Sequence, residues 1–370
     1  MICLKTFRCV FRLRFTRLPV STGGLSFCVY INMKILTLTQ KFSGCGYHRL
    51  MLPISFMEKD YGRITDNMTE EQWQENKYDI VYINRTWDNE DLIERRKEHG
   101  FKLVVDVDDY WHLSHDHLMY EGYNASNFAA RLIHHMREAD LVTCTHERLA
   151  DAIYPHNKNI VILPNAIPYG QSQFDGERVK TDGVKLFWAG GITHEPDLKL
   201  LQGVMYELDK HVKGVHMVMG GYADANDTEL YYWSRMASYF TNDKKLPYTI
   251  IRGMDVFEYY NMFRHADVML IPLVKNNFNA YKSNIKILEA AGKAVPVVCS
   301  NVHPYIGFPA DVVNYAKDRK EWLRHIKRLT ESEDLRYEQG AALHQYCAKH
   351  YNFSDINEKR RNAFLSLLSL

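Results

Sequence analysis

Lys282, Lys286 and Glu289 stand at spacings of four and three within residues 279–298. That spacing puts them on one face of a helix, opposite a core face of Ile285, Leu288 and Ala291. The stretch reads as a loop, a short helix whose cap is expected at Ser283, a turn at Gly292 and a buried strand. Lysines in a first helical turn are opposed by the positive end of the macrodipole, which favours anions there. Two of them suggest an anion between them. A phosphate would sit on the backbone N–H groups around Ser283, Asn284 and Ile285, with the ammonium groups as point charges. Glu289, two turns on, would accept hydrogen bonds from a ribose. On the lysines alone, a solvated surface face with weak pairs is an equal reading.

A second group of reactive side chains follows an apolar run at 103–107: Asp106, Asp108 and Asp109, then His115, Asp116 and His117. Ligands of open α/β sheets bind beyond the carboxyl ends of strands, so these acids point toward a cleft. They could hold a metal, cap a helix or pair with an arginine, or bind an acceptor and act as acid or base. The spacing matches no specific metal motif. Nearer the start, Gly44, Gly46 and Arg49 lie on a glycine-bearing loop running into a helix, where a ligand could approach backbone N–H groups and Arg49 could add charge. A plain tight turn explains those glycines equally well. His134 and His135 are adjacent on a helix, about 100° apart, and read as surface or boundary residues.

The elements that must position these residues alternate. Short, mostly β-branched runs at 35–39, 80–83, 103–107, 141–145 and 160–163 read as buried parallel strands, with helices between them at 91–99, 127–139 and 147–153. A second alternation has strands at 184–189, 215–219, 248–252, 268–271 and 295–299 and a helix at 197–209. The pattern is α/β with two Rossmann-like domains. The expected organisation is a basic leader at 1–32, a first domain at 33–168, a polar linker at 169–183, a second domain at 184–350, and a C-terminal helix at 351–370. That helix begins at a Ser354 cap, and the apolar tail of Phe364, Leu365, Leu367 and Leu368 suits it to cross back to the first domain.

At 370 residues the chain can bury a sizeable core in each domain. Its 46 basic and 45 acidic residues give no case for a nucleic-acid partner. Five of the basic residues, Lys5, Arg8, Arg12, Arg14 and Arg17, fall in the leader, which holds no acid. Those arginines interrupt any clean signal-peptide or membrane-spanning run. The leader is expected to be poorly ordered or untranslated, with Met33 as the start; a basic segment lying peripherally on an anionic membrane is the other reading. The seven cysteines form no C-x-x-C pair, which fits a reduced, cytoplasmic compartment, and Cys144 and Cys299 read as core residues.

The string from Glu289 through Ala290, Ala291, Gly292, Pro296, Val297 and Val298 resembles the donor-binding segment of GT-B glycosyltransferases, especially family 4 and its phage and bacterial surface-polysaccharide relatives. Two more stretches resemble that family: Gly44 to Arg49, and Pro164-Asn165-Ala166-Ile167 at the close of the first domain. The Asp106 to Asp109 string also looks like a segment of related transferases. The resemblance implies two Rossmann-like domains facing a cleft, with Glu289 on the donor ribose and Lys286 on its diphosphate. The family often has a second glutamate where this chain has Lys282. At Gly190 and Gly191 it usually carries an arginine and a lysine nearby, and this chain has His194 instead. The diphosphate charge would then fall to Lys282, Lys286 and Arg252.

The implied activity is transfer of a sugar from a UDP- or GDP-sugar to a hydroxyl of a glycan, lipid-linked or other acceptor, retaining and without an obligatory cofactor or metal. Asp108, Asp109 and His115 are the catalytic candidates, and Gly44, Gly46, Arg49 and Asp106 face the acceptor. A GT-B sugar-nucleotide epimerase and a non-enzymatic module with a decayed donor site are the alternatives.

Overall fold

The ten apolar runs become strands, and with two more they make twelve strands in two parallel sheets among the described residues of the computed structural model, which are 32–39, 43–57, 61–65, 68–84, 91–179 and 183–369. The first sheet holds β1 (Lys34–Leu38), β2 (Tyr61–Thr65), β3 (Ile80–Asn84), β4 (Lys102–Val107), β5 (Leu141–Cys144) and β6 (Ile160–Ile162). The second holds β7 (Val184–Ala189), β8 (Val215–Tyr222), β9 (Tyr248–Arg252), β10 (Val268–Ile271), β11 (Val297–Ser300) and β12 (Asn314–Ala316). Their orders are β2-β1-β3-β4-β5-β6 and β12-β11-β10-β7-β8-β9. Both are doubly wound, with a change of direction between β1 and β3 in one and between β7 and β10 in the other. At such a point neighbouring connections leave in opposite directions and open a crevice beyond the strand ends.

The central strands are buried on both faces, as their continuous apolar runs require. Ile80, Val81, Leu103, Val104, Phe187 and Leu270 are all fully buried, as are Cys144 and Cys299. Two strands escape a reading based on apolar runs. β2 is an edge strand containing Gly62 and Arg63, and β12 has three residues with Asn314 buried among them. Asn314 is accommodated because its amide donates to Val297 O and Gln339 Oε1.

Several local expectations need correction. The helix expected at 197–209 is two helices, Glu195–Lys199 and Gln202–His211, because Asp197 turns inward to bind His194 and the loop after β10. The last helix, Phe353–Leu368, is capped by Asn352, whose Oδ1 accepts from Asp355 N; Ser354 lies inside it. His135 is buried, its Nδ1 bonded to Arg131 O, while its neighbour His134 stays exposed. The glycines at 44 and 46 form the first turn of a helix capped by Ser43, which continues through a π-helical turn (Tyr47–Met51) to Ser55. A Cβ on Gly46 would lie 2.0 Å from Thr39 Oγ1, so that glycine serves close packing of the helix on β1.

The polar stretch expected to link the domains is tied down where it is described. Phe174 is buried against Tyr260, and the Gln173 amide donates to Tyr47 Oη and Val256 O. The last helix packs on the first sheet. Phe364 meets Tyr82 edge to face at 5.1 Å and joins the cluster of Ile35, Ile80 and Val104, while the Asn357 amide donates to Pro53 O. Among the described residues no helix is long and apolar enough to cross a membrane. The basic leader lies outside the described residues, apart from Asn32.

Candidate active site

Between the carboxyl ends of the two sheets lies a cavity of about 700 Å³, lined from both domains. Its second-domain wall begins at the helix Ile285–Gly292. Ala290 and Ala291 are fully buried and let that helix lie close to its sheet, which fixes the direction in which its other face looks. That face presents Lys282, Ser283, Lys286 and Glu289 to the cavity. No side chain caps the helix: Ser283 Oγ accepts instead from the Asn165 amide across the cleft at 2.8 Å, and the Asn284 amide is turned away to Tyr351 Oη. The first N–H groups are thus left without a side-chain cap beside two ammonium groups, an arrangement suited to an anion.

Lys286 is held tightly. Its Nζ donates to Ala189 O at 2.8 Å and lies 5.5 Å from the Trp188 ring centroid. Burial pushes its pKa down to about 8, against the pull of Glu289 and Asp197, and Lys282 adds to the lowering. Gly190 makes this convergence possible. A Cβ there would lie 2.9 Å from Trp188, 3.1 Å from His194 and 3.2 Å from Lys286 Nζ. Gly191 is open to the cavity. Gly221, at a bulge of β8 with φ +100°, runs against Gly190, where a side chain would meet Gly190 O at 2.6 Å. His194 donates from Nδ1 to Asp197 Oδ2 at 2.7 Å, and burial followed by the neighbouring Lys286 pushes its pKa down to about 4. His194 is therefore a neutral hydrogen-bonding group at pH 7. Its pairing with Asp197 fixes the tautomer and leaves Nε2 as an acceptor.

Glu289 is bonded by a tyrosine of its own domain, which a histidine of the first domain reaches in turn. Tyr259 Oη donates to Glu289 Oε1 at 2.8 Å, and His48 Nε2 lies 2.6 Å from the same hydroxyl. Because a carboxylate only accepts, the tyrosine proton goes to Glu289 and the histidine must donate to the tyrosine oxygen. Burial raises the Tyr259 pKa well above its usual value, with the Glu289 charge next, so the phenol stays protonated. Glu289 Oε2 is not engaged by this pair.

The first-domain wall carries Gly44, His48, Arg49, Asp108, Asp109 and Asn165. Asp106, expected at the acceptor side, is fully buried beneath the wall and receives both Nε and Nη2 of Arg49 at 2.9 and 2.8 Å. Arg49 spends its remaining donor group on Leu163 O and Asn165 Oδ1. These two residues form a buried structural pair, with the carboxylate of Asp106 matched to the Nε and Nη2 fork of Arg49. Asn84 bridges Asp106 to Asp108 with its amide, and Asp108 reaches the cavity. Asp109 lies 3.9 Å from Lys282 Nζ across the cleft.

Two more expected residues stand apart. His115 is exposed against Tyr120 and does not line the cavity, which removes it as a catalytic candidate. Arg252 is exposed and paired through both Nη atoms with Asp224, also outside the lining. Sequence reasoning assigned no role to His48, Tyr259, Asn165 or the Gly220-Gly221 pair. His48 and Asn165 lie within stretches it singled out, and the glycine pair follows an apolar run as Gly190-Gly191 does. Among the described residues no three His, Cys, Asp or Glu side chains group where they could hold a metal ion.

The domains also meet on the far side of the cavity. Tyr110 and Tyr281 stack at 4.3 Å with planes 12° apart, and His146 Nε2 donates to Tyr281 O at 3.0 Å. The loop entering the lysine-bearing helix is thus gripped by the first domain.

Residues 206–359, less than half of the chain, match a family model described as Glycosyl transferase-like. No functionally curated protein matches the sequence. Among solved structures, HepE from Anabaena, in complex with UDP and glucose, is similar over 92% of this chain and 100% of its own at 13% identity, with a TM-score of 0.62. Sucrose-phosphate synthase from Thermosynechococcus elongatus covers 79% of this chain and 74% of its own at 14% identity and a TM-score of 0.57. S. aureus TarM, in complex with fondaparinux, α-GlcNAc-glycerol and UDP, covers 77% at 12% identity and a TM-score of 0.56; the chain spans only 55% of TarM. At such identities the likeness establishes architecture: the chain has the GT-B fold, and residues 206–359 form a glycosyl transferase-like segment within it.

Proposed function

We propose that the protein is a glycosyltransferase that moves a sugar from a nucleoside-diphosphate donor to an acceptor hydroxyl. The observation that carries this reading is the second-domain wall, where Lys286, Lys282 and the uncapped helix start face one cavity with Glu289. The diphosphate lies across the N–H groups of 284–286 with Lys286 as its counter-charge, and Glu289 Oε2 accepts from a ribose hydroxyl. As the sugar leaves, negative charge grows on the diphosphate, where preorganised cations and dipoles stabilise the transition state most. Because two lysines and a helix terminus meet that charge, transfer proceeds without a divalent cation. The HepE and TarM complexes with UDP support a uridine donor. The resemblance to family 4, carried by the string around Glu289, supports retention of configuration.

The first domain holds the acceptor. Asp108, past the carboxyl end of β4, is the group of that wall placed to take a hydroxyl proton, with Asp109 beside it as partner to Lys282. The contacts flanking the cavity exclude water from the transfer.

The test is titration of the full chain with UDP and GDP, repeated on Glu289→Ala, followed by product analysis with UDP-sugar alone and with acceptors. One nucleotide should bind, tenfold more weakly in the variant, and sugar should appear on acceptor only. Conversion of the donor sugar without acceptor would instead identify an epimerase, and failure of a folded chain to bind either nucleotide would refute the donor site.

A further inference from the structure

A second cavity, of about 590 Å³, adjoins the first and differs from it in chemistry. Among its described lining residues none is charged: Met51, Leu52, Phe56, Ile64, Val256 and Phe257 supply apolar surface. The polar groups are the hydroxyls of Thr39, Ser55, Thr65 and Ser172, and the pair of Tyr47 and Gln173, already bonded to each other. The polar cavity, by contrast, is lined by lysine, aspartate, glutamate and histidine. Val256 lines both spaces. Tyr47 faces the apolar one while the next residue on the same π-helical turn, His48, faces the polar one. The Gln173 amide joins the two domains at this boundary, donating to Tyr47 Oη at 2.7 Å and Val256 O at 2.8 Å.

The volume falls in the range of about 300–1,000 Å³ usual for small-molecule sites. Phe257 and Ile64 remain 60% and 38% exposed while lining it. Either alone would be ordinary surface, but together on a cavity that opens beside a transfer site they leave apolar area to be covered by an occupant. A bare sugar there would set hydroxyls against the Met51, Phe56 and Phe257 side without partners, at a cost of desolvation. An uncharged hydrocarbon group would gain from the same contacts.

We propose that this cavity receives the apolar aglycone of the acceptor, so that the acceptor is a glycoside of an uncharged aliphatic or aryl group whose sugar reaches the donor cavity past Val256. The proposal rests on the glycosyltransferase reading for the meaning of its occupant, but the site itself can be tested without turnover. The probes are methyl, butyl, hexyl and octyl glucosides below their micelle concentrations, with nitrophenyl glucoside as the aryl member. Each is titrated calorimetrically into the full chain and into Phe257→Ser and Ile64→Asn, positions exposed enough to be changed without loss of folding. Affinity should rise about three- to fourfold per methylene along the series, the gain expected from burying each one, and both variants should flatten that rise. Equal affinity along the series would overturn the proposal, as would a rise that neither variant changes, since the chains would then be binding elsewhere. A parallel titration with UDP keeps the two readings separate. If UDP fails to bind, the donor site falls and the alkyl series still decides the cavity; if UDP binds and the series is flat, only the aglycone site falls.

Discussion

Arg49, fully buried, and Lys286, partly buried, are cations that face the same cavity from opposite walls, yet they are bound in opposite ways. Arg49 has two hydrogen bonds to Asp106 and two to neutral oxygens, so its charge is matched by a carboxylate in fork geometry. Lys286 has one carbonyl, at Ala189, and among the described residues no carboxylate within ion-pair range. The contrast separates a structural charge from a functional one. A buried cation with a matched anion is complete; Lys286, whose pKa burial pushes down to about 8 with Glu289 and Asp197 only partly offsetting it, is on the proposed reading the cation left to meet a ligand's charge.

The largest effect that could break this comparison is on stability. Arg49→Ala would strand Asp106 as an uncompensated buried carboxylate, and removing one partner of such a pair costs about 3–5 kcal/mol. Urea unfolding should show that loss, while Lys286→Met, which relieves a desolvated charge, should unfold no earlier than wild type. Equal destabilisation by the two substitutions would dissolve the distinction.

Next in size is the effect on binding. Lys286→Ala should weaken UDP by about 10–100-fold in calorimetry, the scale of one charge-assisted hydrogen bond. Lys282→Ala should cost less, because Lys282 already has Asp109 within 3.9 Å. If Lys282 proved the more important, the helix face would be holding its anion further toward the first domain.

The same contrast explains what could be read from the sequence. The helix Ile285–Gly292 was legible because its evidence is local: spacing assigns Lys286 and Glu289 to one face, and the small residues and Gly292 set its packing and end. The alternation of strands was legible for the same reason, and it failed only where a strand was short or at an edge. What sequence could not show is who else competes for a charge. Arg252 and Arg49 look alike as free cations near a cleft, but Asp224 and Asp106 reach them first from 28 and 57 residues away. Along β4 alternate residues face opposite sides, so Asp106 and Asp108 share a side; yet Asp106 lies within the strand beneath Arg49, and Asp108 lies past its end at the cavity. The pairing of His48 with Tyr259, across 211 residues, had no local sign at all.

The smallest effect concerns the tie between the last helix and the first domain. Asn352→Ala removes the cap of Phe353–Leu368 and should lower stability by about 1 kcal/mol with UDP affinity unchanged, read by urea unfolding and calorimetry. A fall in affinity as well would mean that the helix also sets the position of the cleft walls.

The most direct test of the central claim is the pH dependence of UDP affinity in wild type and Lys286→Met. The protonated ammonium is the form that attracts the diphosphate, and in the free protein it has lost about half its protonation near pH 8. Wild-type affinity should therefore fall about twofold from pH 7 to 8 and more steeply above, by at most tenfold per unit, until the pKa of the bound state is reached. The variant should bind weakly and show no fall over that interval. Parallel profiles for the two proteins would contradict the account, because the charge that meets the diphosphate would then lie elsewhere.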